Sequence, residues 1–127
     1  MKYKSSIQPT KICLGVINMR VAVASTNGKH IDVHFGDANQ FFIFDISDEG
    51  IEVVELRKKV YKPLDEHSSR WKKAVDLIKD CSVVFCAKIG PEPKEELKTK
   101  GIKVIELETS IKEALERYVN FKKKYSQ

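Results

Sequence analysis

The chain has 127 residues, enough for one domain with a real core, and 42% of them are hydrophobic with 32% charged, the composition of a soluble globular protein. No apolar run approaches the roughly 20 residues of a membrane span, and Ile12–Ile17 is short for a secretion signal and lacks a small-residue cleavage site, so a cytoplasmic protein and no membrane partner are expected. The net charge of +5 is carried largely by Lys2, Lys4 and Lys11, since residues 1–18 hold no acid and the remainder sets 20 basic groups against 18 acidic ones; no nucleic-acid partner is expected.

Residues 1–18 read as a basic extension, flexible or adding an edge strand, because the strand pattern starts at Met19. The domain proper is 19–127. Its first strand, about 19–25, alternates Val21 and Val23 with Ala22 and Ala24, which predicts a central strand covered on both faces. Asn27-Gly28 supplies a turn of positive φ. A polar loop carrying His30, Asp32 and His34 leads to a second strand, about 40–46, through Phe41–Phe44. Asp48-Glu49-Gly50 marks a hairpin. A third strand follows at about 51–60, where Ile51, Val53 and either Val54 or Leu56 alternate with charges, so one face is solvated.

Pro63 keeps residues 61–67 in a loop, which contains His67. Ser68 or Ser69 then caps a helix over about 69–80, with Trp71, Ala74, Val75 and Ile78 at helical spacing. The run 81–87 reads as a short buried parallel strand ending before Gly90-Pro91. A helix over about 92–100 stops at Gly101, and 102–107 is a fifth strand. Thr109 or Ser110 caps the last helix, whose apolar face is Ile111, Ala114, Leu115, Tyr118 and Val119. The order βββαβαβα, with right-handed crossovers, predicts an α/β domain. Its mixed five-stranded sheet runs 3-2-1-4-5 with three helices, as in ribonuclease-H-like folds.

In that topology the ends of strands 1 and 4 lie side by side, where open α/β sheets bind ligands. His30, His34 and Cys86 can converge there, and the loop with His67 can reach them. Imidazole and thiolate suit iron and other transition metals, so His34 and Cys86 are the candidate metal ligands. Each has a plainer role: the histidines as solvated loop residues, Cys86 as a small core hydrophobe. Three cysteines, Cys13, Cys81 and Cys86, with no C-x-x-C, are a reducing-compartment pattern and fall short of four thiolates for a protein-built iron–sulfur cluster. Strand 1 has no acid, so the two-metal nuclease chemistry of ribonuclease H is excluded. A Cys–His hydrolase or transferase pairing Cys86 with His34, with Asp32 nearby, remains open, as does a metal-free interaction domain.

Arg20–Ser25, Val33-His34-Phe35-Gly36-Asp37-Ala38, Phe41–Phe44, Val83–Pro91 and Leu97–Ile102 resemble the nitrogenase iron–molybdenum cofactor biosynthesis family, which includes NifX-like proteins and the C-terminal domain of NifB-like proteins. The resemblance covers about 19–119. It implies a ribonuclease-H-like fold without nuclease activity, and a small non-enzymatic carrier of an iron–sulfur or iron–molybdenum cofactor, or its precursor. Donor and acceptor assembly proteins are the implied partners; a monomer is expected. The family's cofactor-contacting histidine corresponds to His34. A pre-assembled cluster brings its own sulfides, so few protein ligands suffice, and a basic rim of Lys29, Lys88 or Arg57 would suit an anionic cargo. The chain lacks a radical-SAM three-cysteine motif, so the resemblance implies a stand-alone member or a detached domain.

Overall fold

The computed structural model describes residues 19–60 and 67–125, without the side chains of 67–69 and 125. The expectations for the 1–18 extension and for the loop around Pro63 lie outside the described residues. Five strands, β1 (Met19–Ala24), β2 (Gln40–Ser47), β3 (Gly50–Lys58), β4 (Val83–Cys86) and β5 (Lys103–Glu106), form one sheet in the order β3-β2-β1-β4-β5. Helices α1 (His67–Leu77), α2 (Pro91–Thr99) and α3 (Ile111–Tyr125) complete the order βββαβαβα. β1 pairs antiparallel with β2 and parallel with β4. It is therefore central, as its apolar residues on both faces predicted, and it is the strand at which the sheet changes sense.

The alternation along β1 sorts two cores. Ala22 and Ala24 face a cluster with Ala74 and Val75 of α1, Ile78 just after it, and Leu97 of α2. Val21 and Val23 face one with Ile111, Ala114, Leu115 and Tyr118 of α3. Small side chains thus lie beneath two helices and branched ones beneath a single helix.

Local signals place the helix ends. Ser110, of the two candidates, caps α3: its Oγ accepts the Glu113 amide at 3.1 Å. α2 has Pro91 at its first position. It ends in two bonds, Ile102 N–H to Leu97 O at 2.9 Å and Gly101 N–H to Lys98 O at 3.0 Å, with Gly101 at φ +80°. α1 starts earlier than expected, at His67, and ends at Leu77 because Ile78–Asp80 tighten into a turn closed by Cys81 N–H to Ile78 O at 2.9 Å. In β3, the register passes from Phe44↔Val53 to Ile43↔Glu55. Val54 is thus the extra residue of a bulge and packs against the α1/α2-side core. Ile51, Val53 and Leu56 stay at least a third exposed, so this edge strand is less covered than its pattern predicted.

Candidate functional site

Residues 25–38 cross the end of β1 from one core to the other: Ile31 is buried in the α3-side cluster and Phe35 in the opposite one. The first half of the loop is tied by its own polar groups. Buried Ser25 Oγ accepts the Gly28 amide at 2.9 Å, and Asn27 Oδ1 accepts those of Lys29 and His30 at 2.8 and 3.0 Å. Asp32 accepts the Thr26 amide at 3.0 Å and its hydroxyl at 2.6 Å. That carboxylate therefore organises the loop. Gly28 is obligatory twice over, with φ +76° and a position where a Cβ would stand 2.9 Å from Phe42 Cζ.

The two halves are anchored differently. Around His30, the Ile31 amide donates to Thr109 O at 2.9 Å and the Ile111 amide to Lys29 O at 2.8 Å, fastening this stretch to the start of α3. Around His34, the Ala87 amide donates to Val33 O at 3.0 Å and the Phe35 amide to Lys88 O at 2.8 Å. The chain leaving β4 is thus stitched on both sides of His34. This is the juxtaposition of the β1 and β4 ends that the parallel pairing predicted.

His34 is exposed and lines a cleft of about 370 Å³ with Gly36, Trp71, Ile89, Pro91 and Pro93; Asp37 and Glu92 add carboxylates. The N-terminus of α2, with no side-chain cap at Gly90, forms one wall. Its dipole favours negative charge there, although Pro91 and Pro93 offer no N–H. The imidazole can donate a lone pair or a proton to a ligand held against apolar walls.

His30 and Cys86 do not join His34 in this cleft. His30 is exposed on the opposite side of the loop, in a cleft of about 590 Å³ between α3 and the β2–β3 face. Cys86 is fully buried in the cluster against which Trp71 and Ile89 pack, and it does not line the His34 cleft. Burial pushes its thiol up to about 12, so it is a protonated core residue rather than a thiolate ligand or nucleophile. His67 is the first residue of α1, and its side chain is outside the description. Among the described residues no three His, Cys, Asp or Glu side chains are grouped to hold a metal ion.

The expected basic rim is also revised. Arg57 is engaged by Asp80 at 2.6 and 2.9 Å and by Glu55 at 2.8 Å, in a network joined by Arg20 and Asp45. Lys29 lies in the His30 cleft. Exposed Lys88, one residue before Ile89, is the one beside the His34 cleft. Sequence reasoning missed two contributors. Trp71 reads as an ordinary core position at helical spacing, yet it is only partly buried and forms a wall. Lys59 reads as a solvated edge-strand residue, yet it is 8% exposed and donates from Nζ to Gly36 O at 3.1 Å and Arg70 O at 3.2 Å; no local pattern signals this.

The profile of the dinitrogenase iron-molybdenum cofactor family matches residues 18–120. The chain belongs to this family. It is 36% identical over 90 residues to the FeMo cofactor biosynthesis protein NifB of Klebsiella pneumoniae, covering 65% of this chain and 19% of that one. It is 27% identical over 90 residues to the protein NifY of Azotobacter vinelandii, covering 71% and 36%. The chain thus spans about a fifth of NifB and about a third of NifY. A solved structure provisionally described as a dinitrogenase, from Methanocaldococcus jannaschii, shares the fold with a TM-score of 0.59 at 22% identity, over 84% of this chain and 92% of that one. The family is one of nitrogenase cofactor biosynthesis, NifB- and NifX-like, and the fold is the one that the resemblance implied. No described helix is long and apolar enough to cross a membrane.

Proposed function

We propose that this protein is a non-enzymatic carrier that holds an iron–sulfur or iron–molybdenum cofactor, or its precursor, as cargo at His34. The observation that carries the reading is an exposed histidine in a largely apolar cleft where β1 and β4 end together, in a chain of a cofactor-biosynthesis family. A pre-assembled cluster needs only an anchoring ligand and a shaped wall. That requirement agrees with a cleft whose described lining offers one imidazole and no clustered thiolates. Cys86 has a supporting role, filling the core beneath the walls. The alternative of a Cys–His hydrolase loses its nucleophile to that burial. Metallocluster assembly proteins would donate and accept the cargo in a reducing compartment such as the cytoplasm. Trp71, the chain's one tryptophan, lines the cleft and reports on it. Anaerobic loading with ferrous iron and sulfide should quench Trp71 emission, produce broad visible absorbance and leave iron with the protein after gel filtration. Loss of all iron on the column would favour a metal-free interaction domain, for which the exposed Ile51, Val53 and Leu56 of β3 would be the surface.

A further inference from the structure

We infer that Lys59 is the positioning residue of the His34 cleft: its ammonium, enclosed at the end of β3, ties the loop wall to the α1 wall. With Ser25 it is one of two buried polar residues among those described. Its amide donates to Asn39 O at 2.8 Å, and its Nζ donates to Gly36 O at 3.1 Å and Arg70 O at 3.2 Å. Gly36 lines the cleft, and Arg70 precedes Trp71, which lines it beside Gly36: a Cβ at Gly36 would stand 3.8 Å from Trp71 Cβ. One cation therefore pins the loop to α1 where the two meet at the His34 cleft.

The turn has two backbone bonds of its own, one of ordinary length and one long. Asp37 N–H to His34 O is 3.1 Å, and Ala38 N–H to Phe35 O is 3.3 Å. Charge-assisted donation to Gly36 O is stronger than either. A buried lysine is a costly way to fill this space: desolvation, with Arg70 and Lys73 repelling and Asp37 attracting, lowers its ammonium from the ordinary lysine value to about 8. An apolar side chain would fill the volume without that cost, so what the ammonium adds is directional bonding, which reaches a carbonyl on the loop and one on α1. It also places a positive charge behind the wall of a cleft whose own lining carries Asp37 and Glu92.

The role at the cargo rests on the carrier reading; the ordering of the loop does not, and the test separates them. In the full chain without cargo, amide exchange at neutral pH is compared for wild type and Lys59→Met. The Asp37 and Ala38 amides should exchange at least about tenfold faster in the variant, while β1 and β4 amides keep their rates. Trp71 emission in wild type should show a step near pH 8 that Lys59→Met lacks. Should Lys59→Met not fold, Lys59→Arg, whose cation stays charged throughout, must abolish the same step. Unchanged loop exchange, an equal loss across the whole domain, or a step that persists in either variant overturns the inference. Loaded anaerobically with ferrous iron and sulfide, Lys59→Met should retain several-fold less iron than wild type. If His34→Ala loses iron and Lys59→Met does not, the positioning role falls while the carrier reading stands. If neither loses iron, the carrier reading falls and the role at the cargo goes with it.

Discussion

The amide of Phe35 donates to the carbonyl of Lys88 at 2.8 Å, so the residue after His34 is fastened to the chain as it leaves β4. With Ala87 N–H on Val33 O, the backbone on both sides of His34 is held independently of the imidazole. The loop's geometry is thus built from main chain and from the buried rings of Phe35 and Phe41, whose centroids are 5.6 Å apart. The histidine is left free for a ligand.

His34→Ala should therefore separate stability from binding. The side chain is exposed, so the free energy of unfolding should change by no more than about 0.5 kcal/mol. Iron retained after anaerobic loading, and the quenching of Trp71, should fall to background. A thermal melt and metal analysis of the same preparation check both. A folded variant that holds as much iron as wild type would remove His34 from the site.

Cys86→Ser should do the reverse. The thiol is fully buried among apolar groups, and a hydroxyl placed there without a partner costs on the order of 1–3 kcal/mol. Denaturant unfolding should show that loss, with iron retention close to wild type under conditions where the variant is folded. In native wild type the Cys81 and Cys86 thiols, both pushed up to about 12 by burial, should react with an alkylating reagent only as fast as the domain opens.

Gly28→Ala tests the loop's entry. The substitution meets a left-handed φ of +76° and a Cβ 2.9 Å from the Phe42 ring. About 1–2 kcal/mol of backbone strain is expected, and the tip of the half-buried Phe42 ring must also give way. A circular-dichroism melt should place this variant well below wild type; an unchanged midpoint would mean that the loop has another conformation.

Much of this fold was legible because its signals are local and agree with one another. Alternation in β1, proline at the start of α2, Gly101 at its end and the Ser110 cap each act within a few residues, and together they fix the topology. The juxtaposition of the β1 and β4 ends followed from that topology, and so did the position of His34 beside them. What was not legible depends on side-chain direction across the sheet. Cys86 ends β4 facing the core because strand register, and not composition, decides which way it points. His30 and His34, four residues apart, lie in different clefts because the loop between them crosses from one layer to the other. The Ile43/Phe44 bulge is a property of a strand pair, and Lys59 gains its partners from residues far along the chain.

The pH dependence of stability should carry two opposite signatures. Asp80 is held well below the usual carboxylate range, chiefly by its hydrogen bonds to Arg57, with Arg20 adding to the effect. A depressed carboxylate stabilises the fold above its unfolded pKa, roughly 3.9, and that contribution is lost as the pH falls below it. Asp80→Asn should thus flatten the acid limb of the stability profile. Lys59 works the other way. Its folded value, about 8, is below the ordinary 10.5, so between these two values the unfolded chain binds more protons than the native one. Stability contributed by this site then rises with pH across that window, since enclosing the charged form is what costs. The unfolding free energy of wild type minus that of Lys59→Met should increase by on the order of 2 kcal/mol from pH 7.5 to 10.5. Denaturant titrations of both proteins at several pH values give this difference directly. A difference that is flat or falls with pH would mean that Lys59 is solvated, and would undo its enclosure at the end of β3.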